Sequence, residues 1–502
     1  MLYQSTRDKN MLVKSAQAIK LGISPDGGLF VPQDKPKLSH DVFEKFSTMS
    51  YNARAIEVLK MFLTDFTLDE IKECVDQAYN KEKFETENIA PVYKLNDKIY
   101  FLELWHGPTC AFKDMALQIL PHLLTKSIIK TGEDKEVVIL VATSGDTGKA
   151  ALEGFKDVKG TRIVVFYPEN GVSEIQKLQM ITQEGSNVGV AAVDGNFDDA
   201  QNGVKMIFTD NEYQALLEKN HFSLSSANSI NWGRLVPQII YYFSAYADLV
   251  KNEEIKLGEK INIVVPTGNF GNILAAYYAK EMGLPVNKLI CASNENNVLT
   301  EFINKGVYDR KRNFKTTISP SMDILISSNL ERLLFDITGN DDARVRQYMQ
   351  ELNEKGKYEV HDVTKEKISA LFWAGYCNDE ATSSAIKEIE SEYSYVVDTH
   401  TAVGKNVYDQ YVEATGDKTK TIIVSTASPF KFNHSVLTAF VDEEELKDKN
   451  EFELLDLLAV KSGQRIPKSL AQLKDKEKLH NIKCKKEEMK EVVNDILRLI
   501  KE

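Results

Sequence analysis

Apolar residues recur along this chain in two rhythms. Up to about Pro91 the spacing is helical, in DVFEKF, in the stretch from Asn52 to Phe62, and in TLDEIKECVDQAY from Thr67. The last of these opens on a cap-type threonine with acids in its first turn, a helix-start signal. SPDGGLFVP, from Ser24 to Pro32, reads as turns leading into a short extended segment. From about Val92 the pattern changes, and short β-branched runs alternate with helical stretches. EVVILVA (Glu136 to Ala142), TRIVVFY (Thr161 to Tyr167), NVGVAAV, KINIVVP (Lys260 to Pro266), KLICAS, YSYVV and KTIIVST read as buried strands. A long helix is predicted around Val236 to Val250. Strands alternating with helices predict an α/β fold with parallel sheets covered on both faces. Two such series predict two doubly wound domains with a cleft between them. The divisions expected are a helical N-terminal domain over 1–91, α/β domains over 92–255 and 256–468, and a charged helical extension over 469–502, lying on the outside.

Length and charge narrow the functional classes. At 502 residues the chain is too long for one compact domain. A net charge of −12 argues against general binding to nucleic acid or anionic membrane, which needs clustered positive charge. It leaves open a small anionic substrate held by a few local cations and N–H groups. Cys74, Cys110, Cys291, Cys377 and Cys484 are scattered and odd in number, so neither a disulfide framework nor a zinc site is expected. MLYQSTRDKN carries no apolar leader, and no run is apolar enough to span a bilayer. With free thiols, the expected setting is the cytoplasm. His122, His221 and His361 lack metal-ligand spacing and read as structural; no metal site is expected.

Four segments carry candidate chemistry. In His106-Gly107-Pro108-Thr109-Cys110-Ala111-Phe112-Lys113-Asp114 a Gly-Pro turn precedes a helical pattern that begins near the lysine. A lysine among apolar neighbours at such a junction loses solvation, and its pKa falls toward that of a carbonyl-condensing amine. Most lysines at helix starts are only surface residues, and this segment alone decides nothing. Ala142-Thr143-Ser144-Gly145-Asp146-Thr147-Gly148 lies between a strand and a helix. Its hydroxyls and N–H groups suit an anion, although a strand-to-helix loop capped by Thr147 accounts for it equally well. Pro266-Thr267-Gly268-Asn269-Phe270-Gly271-Asn272 also joins a strand to a helix and resembles a phosphate cradle more closely. It matches neither the P-loop nor the dinucleotide pattern, which disfavours ATP and NAD and leaves a small phosphate ester. Val424-Ser425-Thr426-Ala427-Ser428-Pro429 places hydroxyls at a strand's C-terminal end, where open α/β folds bind ligands.

Together HGPTCAFKD, ATSGDTG, PTGNFGN and STASP resemble, in order and context, the threonine synthases. These are fold-type II enzymes similar to tryptophan synthase β. The start, with Tyr3, Ser5-Thr6-Arg7 and Pro25-Asp26-Gly27-Gly28-Leu29-Phe30, resembles the longer branch of that family. The resemblance covers nearly the whole chain. It implies pyridoxal 5'-phosphate as cofactor, Lys113 as the Schiff-base lysine and catalytic base, and Gly268, Asn269, Phe270, Gly271 and Asn272 as the grip on the cofactor phosphate. Thr426 would meet the pyridine nitrogen. Asp146 would stand near the cofactor's 3′-oxygen, where many fold-type II relatives have Asn. Ser144, Thr147, Asn231 and Arg234 are the candidates for the substrate's carboxylate or phosphate. Cys110 departs from the family's usual Leu and puts a thiol near the cofactor, with sensitivity to alkylation as the expectation. The implied reaction turns O-phospho-L-homoserine and water into L-threonine and phosphate. A phospholyase, a threonine or serine dehydratase, and an inactive ligand-binding relative remain as alternatives.

Overall fold

The β-branched runs become the inner strands of two sheets, each buried on both faces as parallel sheets require. The structure, a computed structural model, describes residues 1–143, 145–169 and 172–499. The smaller sheet has the spatial order Ile482–Cys484, Val188–Val193, Thr161–Pro168, Glu136–Ala142, Phe222–Ser225, parallel throughout. The larger runs Phe372–Tyr376, Val286–Ser293, Ile261–Pro266, Thr421–Ser425, Ile99–Glu103, Val92–Lys94, parallel except for the last pair. A small antiparallel sheet of Leu12–Val13, Tyr3–Ser5 and Phe30–Pro32 belongs to the N-terminal region.

Strand pairing departs from sequence order in three places. Ile99–Glu103 pairs with Thr421–Ser425, so the segment from Val92 lies in the larger sheet and not with the smaller one that follows it in sequence. The chain tail is not an external helix. Its strand Ile482–Cys484 extends the smaller sheet beside Val188–Val193, and Met489, Val492, Val493 and Leu497 fill the core beneath that sheet. YSYVV is not a strand. Tyr395 instead stacks on Phe101 at 5.5 Å and bonds Glu103 through its hydroxyl, while Phe372–Tyr376 supplies the sixth strand. Alternation alone could not separate a strand from a short apolar linker that packs its rings against one.

The helix Trp232–Lys251 is buried on nearly every side and forms the spine of the molecule. Its Trp232 packs on Tyr3 at 5.3 Å, Phe62 at 5.6 Å and Tyr278 at 5.5 Å, joining the N-terminal region to the second α/β unit. Each such ring, removed from water, stabilises the fold by about 2–3 kcal/mol. The predicted helix after Thr67 spans Leu68–Ala78 and opens on a capping box between Thr67 and Glu70.

The N-terminal signature closes the same junction with polar contacts. Ser5 Oγ donates to Asp26, Gly28 N donates to Asp26, and an added Cβ on Gly28 would stand 2.2 Å from Ser5 Oγ. Thr6 Oγ1 and both forks of Arg7 donate to the Glu331 carboxylate at 2.6–2.9 Å, a bidentate charge-assisted pair. The next residue, Arg332, is fully buried and donates to Phe30 O at 3.0 Å, Ile230 O at 2.5 Å and Asn329 Oδ1. It holds the N-terminal strand, the entry to the long helix and the loop at Asn329 together.

Candidate active site

Lys113 caps the short helix Asp114–Leu117, and the loop before it is fixed from two sides. Phe112 N donates to Thr426 O at 2.8 Å, and Ala111 pairs with Ala427 as an isolated bridge. Asp114, buried beneath the loop, accepts from Thr109 N at 2.8 Å and Thr109 Oγ1 at 2.6 Å. Burial pushes the Asp114 carboxyl up to about 6 despite these bonds. The Lys113 side chain is 14% exposed and lies 3.9 Å from Asp146 Oδ2. Burial disfavours its ammonium form and pushes Lys113 down to about 8. Asp146 opposes that shift, the cations Lys431 and Arg234 reinforce it, and Asp114 opposes it more weakly.

Asp146 opens the helix Asp146–Phe155 at the end of the strand Glu136–Ala142. It receives four groups: Lys431 Nζ at 2.8 Å and Gln176 Nε2 at 2.9 Å on Oδ1, and Ser321 Oγ at 3.3 Å and Lys113 Nζ on Oδ2. Burial alone would raise this carboxyl. The two ammonium groups outweigh burial and hold it well below the usual carboxylate range. The loop before it is organised by Thr143, whose Oγ1 accepts from Gly145 N and Gly148 N at 3.0 Å. The cap position falls to Gly145 at φ 154°, not to Thr147. Thr147 sits in the helix's first turn, half-buried beside Asp146. Ser144 lies outside the described residues.

The loop Thr267–Asn272 joins Ile261–Pro266 to the helix Gly271–Glu281. Phe270 adopts the left-handed region at φ 63°, which turns the backbone sharply into the helix, where the first-turn N–H groups have no acceptor within the helix. A Cβ on Gly268 would stand 2.8 Å from Ser321 O. Ser327 Oγ donates to Gly268 O at 2.8 Å, and Asn329 donates to Asn269 O from both its backbone and its side chain at 3.1 Å. Asn269 is exposed at the loop tip. Asn272 points inward, where its Oδ1 accepts from Tyr241 at 2.9 Å and from Tyr242.

Ser321 joins the two anion-facing loops, since its carbonyl lies under Gly268 and its hydroxyl reaches Asp146. Its own N–H donates to His400 Nε2 at 3.1 Å, and His400 Nδ1 meets Asp398 Oδ2 at 2.6 Å. With Nε2 accepting, the ring proton sits on Nδ1 and points at Asp398. Neither this Asp-His pair nor Lys431 belongs to any of the four segments read from the sequence.

The remaining candidates divide. Arg234 is buried and donates to Ala227 O at 2.8 Å, while its Nε has no partner among the described residues. Burial pushes the guanidinium down to about 10, still cationic at neutral pH. Asn231 is occupied otherwise: it caps the long helix through Gly233 N at 2.8 Å and donates to Ile19 O at 3.0 Å. Thr426 is 5% exposed, and its hydroxyl bonds no other described residue.

Cys110 lacks the surroundings of a reactive thiol. It is 1% exposed and hydrogen-bonded to Ser469 Oγ at 3.2 Å, and burial pushes it up to about 12. The nucleophile is the thiolate, and at neutral pH it is scarce here. We expect iodoacetamide to leave Cys110 unmodified in the folded protein and to label it after denaturation, as read by peptide mass spectrometry. Labelling in the native protein at the rate of a free peptide thiol would refute this.

A lysine of lowered pKa, a glycine loop at a helix N-terminus and a hydroxyl without a partner among the described residues, on a two-sheet α/β frame, are what the fold-type II class of pyridoxal-phosphate-dependent proteins presents. The chain matches the family descriptions "Threonine synthase N terminus" over residues 2–79, "Pyridoxal-phosphate dependent enzyme" over 78–364 and "Threonine synthase, C-terminal" over 401–493. It belongs to the threonine synthase family. It is similar to threonine synthase of Saccharomyces cerevisiae, 36% identical across 87% of this chain and 89% of that protein. The crystal structure of PLP-bound threonine synthase from Brucella melitensis superimposes with a TM-score of 0.88 and 34% identity, covering 99% of this chain and 100% of that one. Threonine synthase-like 1 of Homo sapiens is 40% identical over 90% of this chain, which spans 61% of that relative's length. Among the described residues, no helix is long and apolar enough to cross a membrane.

Proposed function

We propose that this chain is a threonine synthase, converting O-phospho-L-homoserine and water to L-threonine and phosphate. The observation that carries the reading is a buried Lys113, 3.9 Å from Asp146, in the same site as a buried Arg234 whose Nε has no partner among the described residues. Pyridoxal phosphate would supply the electron sink that makes a carbanion on an amino acid affordable. The chain's residues fit that group. Gly268 to Asn272 would offer backbone N–H groups to its phosphate, the Thr426 hydroxyl would serve its ring nitrogen, and Asp146 would serve its 3′-oxygen.

With the cofactor bound, Lys113 Nζ would carry one proton at a time: it would take that of the substrate's Cα and give it up before taking one from Cβ, which it would return at Cγ. A lysine near 8 is neutral often enough at physiological pH to do so, yet basic enough to return a proton at Cγ. Arg234 binds an anionic end of the substrate, and the Thr147 hydroxyl on the first turn at Asp146 adds a donor. Ser144 belongs to the same proposal. Donors aimed at the departing phosphate stabilise the charge that develops there. Asn231 acts by capping the helix that carries Arg234. The net charge of −12 and five free, buried cysteines support a cytoplasmic enzyme of small molecules.

The test is to incubate the cofactor-loaded protein with O-phospho-L-homoserine and identify the organic product. Threonine in amounts matching released phosphate is expected. Phosphate with 2-oxobutyrate would replace the reading by a phospholyase, and no phosphate at all would remove the substrate.

A further inference from the structure

Lys431 is a second lysine at this site, and no motif announced it. It lies on the single turn Pro429–Phe432 that follows Thr426, and its side chain is 0% exposed. Its ammonium spans two otherwise separate parts of the site, donating to Thr109 O at 2.8 Å and meeting Asp146 Oδ1 at 2.8 Å. Thr109 belongs to the loop that carries Lys113, and Asp146 to the smaller α/β unit. The same carboxylate turns its other oxygen to Lys113 at 3.9 Å.

That geometry sets a problem and its solution. A carboxylate buried at this depth needs a cation. If Lys113 were its only partner, the pair would hold Lys113 as an ammonium, which is neither nucleophile nor base. Lys431 lies closer to Asp146 than Lys113 does and takes the ionic contact. We propose that Lys431 is a positioning residue: it neutralises Asp146, allowing an aspartate to occupy this place while Lys113 remains available as a free amine. The charged groups acting on Lys113 are Asp146, Lys431, Arg234 and Asp114. Lys431 offsets Asp146, and Arg234 opposes Asp114. The inference rests on the assignment of Lys113 as the cofactor lysine.

The test uses cofactor-free protein. Acetylation of Lys113 by acetic anhydride is followed across pH by peptide mass spectrometry, which reports the fraction of free amine without any turnover. K431M leaves Asp146 to Lys113 and should slow acetylation at pH 7 about tenfold. D146N should accelerate it, and the double variant should return near the wild-type rate. If K431M does not fold, the comparison of D146N with the double variant isolates Lys431, with the double expected to be slower. Equal rates in those two proteins, or a K431M rate within twofold of wild type, would overturn the proposal. Because the readout needs no substrate, a protein that makes no threonine yet shows this pattern would lose the substrate reading and keep the Lys431 pair.

Discussion

Lys113→Ala is expected to reduce turnover by about 10³-fold or more while leaving the protein folded. The side chain makes no hydrogen bond that the fold depends on, and its contact with Asp146 at 3.9 Å is backed by Lys431 at 2.8 Å. On the proposed roles the loss should fall on kcat, since the amine would act on reacting atoms and Arg234 would still hold the substrate's anion. The covalently bound cofactor's visible band should vanish with the amine, and added methylamine should restore part of the activity. A variant that keeps both the band and a substantial rate would transfer the role to another lysine, and Lys431 would be the first candidate.

The second large effect is predicted away from the chemistry. Arg332→Met should destabilise the protein by about 3–4 kcal/mol and weaken cofactor retention. The guanidinium serves Phe30 O, Ile230 O and Asn329 Oδ1 at once, and burial pushes it down to about 10 without neutralising it at physiological pH. Methionine keeps the volume and removes every donor, leaving buried acceptors unpaired. Because Asn329 also fixes Asn269 O, the loop Thr267–Asn272 should loosen together with the N-terminal strand. Urea titration followed by tryptophan fluorescence, together with cofactor loss on dilution, measures both. An unchanged midpoint would mean that water replaces the guanidinium at little cost.

What the sequence made legible were groups whose chemistry repeats locally. The strands Glu136–Ala142 and Ile261–Pro266 stand out because a fully buried strand must be apolar along its length. The loops after them stand out because glycine and hydroxyl residues gather where a backbone turns toward an anion. Lys431 was hidden because a single lysine in PFKF has no period and no spacing; only the fold brings it to Asp146. The Asp398-His400 pair was hidden for the same reason, since its partner Ser321 lies in a different part of the chain. Asn231 and Thr147 show the opposite error. Each stands in a polar cluster beside a helix start, yet Asn231 is consumed by a cap, and the cap expected of Thr147 falls to Gly145. Val92–Lys94 and Ile99–Glu103 were assigned by proximity in sequence, but a parallel sheet recruits strands by handedness and cover, and theirs lie across from Thr421–Ser425.

The tail strand Ile482–Cys484 makes folding depend on the order of synthesis. A nascent chain can pair Glu136–Ala142, Thr161–Pro168 and Val188–Val193 early, but the partner for the outer edge of Val188–Val193 leaves the ribosome only after almost the whole of the second α/β unit. Throughout that interval the half-built sheet presents unpaired N–H and C=O groups on a β-branched rim, with the apolar pocket for Met489 and Val493 still open. Such a rim is a template for pairing with a neighbouring chain on the same polysome. Stop codons within Met489–Leu497 are therefore expected to raise aggregation while every candidate active-site residue is still encoded.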